Sequence, residues 1–280
     1  MAQSRQVAII GYGHVGKAMQ QIFPDAVIYD KYNSLYADTR EAVNRCYLSI
    51  ICVPTPERPE DGACDTSAVE EVVGWVETPL ILIKSAVAPG TTDCLKEKYC
   101  KRITVSPEYF GESRFWLPDI FSPLGWPYLI VGGDPEDTQP VMEVFVGRMG
   151  PAKTYRQTTA ATAELTKYME NAWLATQVTF ANEFYEIAQA LGVDYLELRE
   201  LWALDPRVSK WHTLVFPESR GFGGKCLPKD LKAIVAAARG KGHNPLYFLG
   251  VLEANEYFRS LSQKGVPGSP THPGPSPKSR

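Results

Sequence analysis

Histidine is scarce, with 4 in 280 residues, and the 6 cysteines are scattered without a Cys-x-x-Cys pair. That pattern is neither a zinc site nor a disulfide framework, and unpaired thiols fit a reducing, cytoplasmic compartment. A charge excess is missing too. The 29 basic residues against 32 acidic ones leave −3, so there is no electrostatic case for nucleic acid or an anionic membrane. No apolar run nears the ~20 residues of a membrane span. The longest, around Leu48–Val53 and Leu80–Ile83, are strand-sized. The opening residues lack the apolar core of a secretory signal and run straight into a glycine motif. With 44% hydrophobic and 22% charged residues, wholesale disorder is excluded.

The first half alternates β-rich and helical stretches. Strands are expected at Gln6–Ile10, Ala26–Tyr29, Tyr47–Cys52, Leu80–Lys84, Arg102–Val105 and Tyr128–Val131. Several are apolar on both faces, as in a parallel sheet covered by helices. Helices are expected at His14–Phe23, Ser67–Trp75 and Glu136–Met149, and the alternation predicts a doubly wound α/β domain. The pattern then changes. Thr158–Leu191 contains neither glycine nor proline and predicts one long helix stopped by Gly192. Further helix is expected at Tyr195–Leu204, Pro228–Arg239 and Pro245–Leu261. The division drawn is an α/β domain over 1–156, a mainly helical domain over 157–261, and a disordered Pro/Gly/Ser-rich tail over 262–280.

Three motifs carry chemistry. Gly11-Tyr12-Gly13-His14-Val15-Gly16 follows a strand and opens a helix. Gly11 makes the turn, Gly13 admits a pyrophosphate, Gly16 lets helix and strand approach, and the helix start supplies free amides. Asp30 ends the second strand, where an acid binds ribose hydroxyls and repels a 2′-phosphate, so NAD is expected over NADP; Lys31 stands beside it.

The second motif is Gly221-Phe222-Gly223-Gly224-Lys225-Cys226, running into Leu227-Pro228-Lys229-Asp230. A cysteine at the start of a helix is stabilised as a thiolate, and the same amides can hold an oxyanion. Asp230 follows one turn on. The plainer alternative is a buried structural cysteine, which is how the other five are read. In the third motif Lys167 and Asn171 share a helix face with Glu164. That is either a solvated charged face or a pair able to hold a water and an alkoxide.

Further stretches sit at strand ends, where open α/β sheets bind ligands. They are Cys52-Val53-Pro54-Thr55-Pro56, Ser85-Ala86-Val87 running on to Thr92, and Ser106-Pro107-Glu108-Tyr109-Phe110-Gly111-Glu112. Val53, Pro54, Thr55 and Ser85 are expected beside the cofactor together with Gly11, Gly13, His14, Val15, Gly16, Asp30 and Lys31.

Taken in order over residues 6–260, these motifs resemble the UDP-glucose/GDP-mannose dehydrogenase family. The resemblance implies NAD-dependent oxidation of a nucleotide-sugar primary alcohol to a carboxylate, in two hydride transfers. It implies Cys226 as the nucleophile, Lys167 and Asn171 as oxyanion and water holders, Asp230 as the group orienting that water, Glu108 as general base, and Glu112 as a supporting carboxylate. Ala86 stands where the family usually has threonine. The passage from Leu261 into the tail leads us to expect no third, nucleotide-gripping domain.

Two alternatives stay open on the residues alone. One keeps the fold but acts on another nucleotide or a small hydroxylated substrate in a single two-electron step; the other is a non-catalytic NAD-binding protein. A homodimer is expected, because ~50 Å of helix bearing Leu165, Met169, Trp173 and Phe180 is more than ~100 residues cover.

Overall fold

The computed structural model describes residues 5–109 and 122–263. Glu112 and the 264–280 part of the tail lie outside them. The described parts of Met1–Asn171 and Lys229–Asn244 form one compact unit, and those of Ala172–Pro228 and Pro245–Arg280 form another. The division falls inside the long helix, whereas the line at 156 follows the change of element type.

The first unit is built on β1 (Val7–Ile10), β2 (Val27–Tyr29), β3 (Leu48–Ile51), β4 (Leu80–Ile83), β5 (Ile103–Val105), β6 (Tyr128–Gly132) and β7 (Thr154–Thr158), in the order β2-β1-β3-β4-β5-β6-β7. β1 to β5 are mutually parallel; β6 runs antiparallel to β5, and β7 parallels β6. The sheet is therefore mostly parallel rather than wholly so. Its helices are α1 (His14–Ile22), α2 (Arg40–Asn44), α3 (Ser67–Trp75), α4 (Thr91–Tyr99) and α5 (Pro135–Met149).

Successive strand side chains point to opposite faces, which gives two apolar layers. Val7, Ile9, Leu48 and Leu82 pack with Met19 and Ile22 of α1, with Phe23 that follows it, and with Phe145 of α5. Ala8, Ile10, Ile51 and Ile83 pack with Val43, Val69, Val72 and Leu95 from α2, α3 and α4. Both faces are covered, so the five parallel strands keep only their C-terminal edge, with its loops, for chemistry. The strand order reverses between β2 and β3 at β1, which makes that edge of β1 the switch point.

Thr158 ends β7 instead of opening the long helix, α6 (Ala160–Leu191). β7 is an outer strand with mostly exposed residues, TYRQT, so no apolar alternation announces it. Only pairing with β6, Tyr128 opposite Thr154 onward, makes it a strand. Thr159 then accepts the Thr162 N–H at 3.2 Å, an N-cap that starts α6 one residue after the strand.

The second unit comprises the later turns of α6, then α7 (Tyr195–Trp202), the loop to 226, the first residues of α8 (Leu227–Gly240), and α9 (Leu246–Gln263). Asp194 caps α7 by accepting the N–H groups of Leu196 and Glu197. Tyr195 donates to the Thr213 carbonyl at 2.9 Å, tying α7 to the following loop. Among the described residues no helix is long and apolar enough to cross a membrane.

Candidate active site

At the switch point the glycines are dictated by contact. Gly11 has φ +92° and its N–H bonds the Tyr29 carbonyl; a Cβ there would lie 2.8 Å from the Cys52 carbonyl oxygen. A Cβ on Gly16 would lie 2.0 Å from the Gly11 oxygen, whereas one on Gly13 meets nothing within 4 Å. Two glycines therefore close the turn, and the third leaves open space at the start of α1. Among the described residues that helix has no side-chain N-cap hydrogen bond, and its first turn carries no acid, so its positive dipole end faces that space. Asp30 is fixed beside the turn, accepting from Tyr12 N–H at 2.7 Å and Tyr32 N–H at 2.9 Å. Its neighbour Lys31 is turned to Glu71 of α3 at 2.8 Å. These features fit a dinucleotide.

The loops after β3 and β4 brace one another. Ser85 Oγ donates to the Val53 carbonyl at 2.6 Å, and Thr55 Oγ1 donates to the Ala86 carbonyl at 2.7 Å. Pro54 is exposed between them. Ala86 thus contributes its backbone where the family usually carries a threonine.

Lys84 escaped the sequence analysis. It ends the LILI strand buried at 2% exposure, and its Nζ donates to the Pro107 carbonyl at 2.8 Å. Burial pushes the ammonium down to about 8, with Glu108 pulling the other way. A lone cation closing a strand buried on both faces was the signal that it needed partners. Half-buried Glu108 is the residue after Pro107, and Tyr109 stacks on Trp126 with centroids 6.0 Å apart. Burial drives the Cys52 thiol up to about 12, which suits a packing role.

The first turns of α6 supply the next groups. Lys167 Nζ lies over the Tyr109 ring at 5.3 Å and pairs with Glu170 at 3.4 Å, so it is gathered into the site rather than solvated. Glu164 turns away from it. One oxygen accepts the Gly90 N–H at 2.6 Å; the other accepts the Thr92 N–H at 2.9 Å and its hydroxyl at 2.6 Å. It caps α4, and burial raises its pKa against the pull of those donors. Asn171 Nδ2 donates to Asp230 Oδ2 at 2.5 Å, both residues being buried. The Lys229 ammonium reaches Oδ1 at 2.7 Å.

Cys226 belongs to the second unit and is exposed, so it is not a structural core thiol. Cys46, Cys52 and Cys64 are buried as expected; Cys94 and Cys100 are exposed, contrary to expectation, because α4 buries Thr92 and Leu95 rather than Cys94, and Cys100 follows the helix as its left-handed C-cap. Cys226 immediately precedes α8 in the chain.

A mostly parallel sheet with a glycine turn at its switch point, an acid after the second strand and open space above Gly13 at the start of the first helix defines a dinucleotide-binding α/β unit of the dehydrogenase type. Residues 26–143 match the NAD binding domain of the UDP-glucose/GDP-mannose dehydrogenase family, and residues 161–257 match its central domain. The chain belongs to that family.

It is 29% identical over 231 residues to a UDP-glucose 6-dehydrogenase of Haloferax volcanii, covering 74% of this chain and 52% of that one. With a GDP-mannose 6-dehydrogenase of Pseudomonas savastanoi it shares 32% over 220 residues, or 72% and 48%. The solved UDP-glucose dehydrogenase of Pyrobaculum islandicum superposes with a TM-score of 0.77 at 26% identity, over 91% of this chain and 69% of that one. The chain spans about half the length of these curated relatives.

Proposed function

We propose that this protein oxidises a primary alcohol of a nucleotide sugar to a carboxylate with NAD. The observation that carries the proposal is an exposed cysteine, Cys226, between a glycine loop and α8, in a chain whose other unit has a complete dinucleotide turn. Simple alcohol oxidation needs no nucleophile, whereas a second oxidation does. The Gly11–Gly16 turn and Asp30 would hold NAD, which would supply the hydride acceptor at each of the two oxidation levels.

The chain's own groups divide the remaining work. Gly13 and the start of α1 seat the pyrophosphate, and Asp30 accepts from the ribose hydroxyls. Thr55 and Ser85, with Val53 and Pro54, shape the loop wall. After the alcohol loses one hydride and one proton, Cys226 sulfur bonds the aldehyde carbon and its proton passes to the new hydroxyl, giving a thiohemiacetal. Loss of the second hydride and that hydroxyl proton leaves a thioester. Glu108 takes a proton from water as its oxygen bonds the carbonyl carbon, and the C–S bond breaks to release carboxylate and thiol. Lys167 and Asn171 hold the negative oxygen and the water, Asp230 orients that water through Asn171, and Glu112 supports Glu108.

The test is NADH yield per carboxylate over a panel of UDP-, GDP- and TDP-sugars and free nucleotides. Two NADH per carboxylate, with yield abolished in Cys226→Ala and NAD affinity kept, is expected. One NADH per product with an undiminished Cys226→Ala would replace the proposal with a single-step dehydrogenase.

We also propose a homodimer across α6, supported by the exposed Met169, Trp173 and Phe180 along it. Light scattering should give twice the chain mass at micromolar concentration, and Trp173→Arg should lower it to one.

A further inference from the structure

Within the second unit, the glycine loop ahead of Cys226 is gripped by side chains that the proposed chemistry does not use. Three of the four residues from Gly221 to Gly224 are glycine, so the loop has little conformational preference of its own and much entropy to lose on ordering. Phe222 is its one side chain and is buried. A single residue of α9 holds the backbone there from both sides. The Phe222 N–H donates to Asn255 Oδ1 at 2.6 Å, and Asn255 Nδ2 donates to the Phe222 carbonyl at 3.0 Å. Asn255 is itself 5% exposed. A primary amide supplies a donor and an acceptor on separate atoms in one plane, as a neighbouring β-strand does; a hydroxyl has only one atom for both, and a carboxylate only accepts.

Neighbouring contacts extend the grip. Asn182 Oδ1 accepts the Gly221 N–H at 3.2 Å and Arg220 Nε at 2.7 Å. A Cβ on Gly221 would lie 2.5 Å from Asn255 Oδ1, and one on Gly223 would lie 2.4 Å from the Arg259 guanidinium. Asn255 and Arg259 are one turn apart on the same face of α9. The glycines are thus required by close approach of α9 as well as by the turn, and α6 and α9 together set the path of the chain into Cys226.

We propose that Asn255 is a positioning residue for Cys226. By pinning Phe222 it fixes the direction of the loop amides, and with it the place where negative charge on sulfur or oxygen is stabilised. Oriented dipoles help only when aimed beforehand, and ~1 Å of looseness costs about a hundredfold in rate. The inference rests on Cys226 being the nucleophile proposed above.

The test follows iodoacetamide labelling of Cys226 against pH in a Cys94→Ser/Cys100→Ser background, with turnover and NAD affinity measured alongside. Asn255→Ala should move the labelling midpoint to higher pH and cut turnover about ten- to a hundredfold, with NAD affinity unchanged. Asn255→Asp keeps the acceptor and loses the donor, so it should fall between. Should Asn255→Ala fail to fold, Gly221→Ala attacks the same clamp from the loop side without removing a hydrogen-bonding group. Folded Asn255→Ala or Gly221→Ala protein with wild-type labelling and turnover overturns the inference while leaving the nucleophile in place. Full turnover in Cys226→Ser overturns both.

Discussion

The Asn171 side-chain amide donates to Asp230 at 2.5 Å, joining α6 to α8 across 59 residues of sequence inside the first compact unit. Both side chains are nearly inaccessible, at 3% and 2%, and Lys229 reaches the second carboxylate oxygen. A buried, charge-assisted hydrogen bond of this kind is expensive to leave half-made.

Replacing Asn171 therefore has graded consequences. Asn171→Leu leaves the carboxylate one donor short and should cost about 1–3 kcal/mol of stability. Asn171→Asp sets two buried carboxylates against each other and should cost about 3–5 kcal/mol at pH 7. Only the second loss should shrink at pH 5, where the pair can share a proton. Urea unfolding at both pH values measures this, and equal losses for the two variants would refute it.

The glycine turn separates folding from binding. Gly16→Ala drives a Cβ to 2.0 Å from the Gly11 oxygen and should prevent close packing of α1 on β1, lowering the melting temperature sharply. Gly13→Ala meets nothing and should melt as wild type, yet lose NAD affinity tenfold or so by occupying the phosphate's space. Calorimetry on both variants checks the contrast.

Lys84 predicts an unusual pH slope. The unfolded ammonium keeps its proton to near 10.5, and the folded one releases it near 8. Between those values the unfolded state binds more protons, so this residue makes stability rise with pH. The increment is on the order of 3 kcal/mol across that window. Urea unfolding of wild type and Lys84→Met from pH 7.5 to 10.5 should diverge by that amount, and parallel curves would refute the assignment.

Cofactor choice should follow Asp30 more than Lys31. The Lys31 charge is matched by Glu71 at 2.8 Å, in an exposed pair that is weak. Glu71→Gln should raise NADP affinity only a few-fold, whereas Asp30→Ala should erode the preference for NAD. Wild-type binding of NADP as tight as NAD would reject the role of Asp30.

Much of this was legible along the chain. The turn Gly11–Gly16, Asp30 ending β2, the apolar strands Leu48–Ile51 and Leu80–Ile83, and the glycine-free run of α6 are local patterns with local causes. Strands buried on both faces must be apolar throughout, and a helix start aimed at phosphate must be small, so composition reports them directly. Cys226 and Glu108 stood out as reactive groups at element ends, whereas Lys167 and Asn171, inside α6, read equally as a solvated face until the ordered set of motifs gave them a role.

What the tertiary structure decided were the partners. TYRQT is a strand because β6 offers an edge, and nothing in its polar pattern says so. Glu164, three residues from Lys167 and seven from Asn171, looked like part of their group but caps α4 instead. Lys84 is tied to Pro107, and Asn255 to Phe222, over separations of 23 and 33 residues. Amphipathic and turn signals arise from the few residues nearest in sequence, whereas a buried polar group is satisfied by whichever group the folded chain brings within reach. The sequence therefore determined most of the elements and singled out the candidate side chains, and the fold alone determined which of them meet.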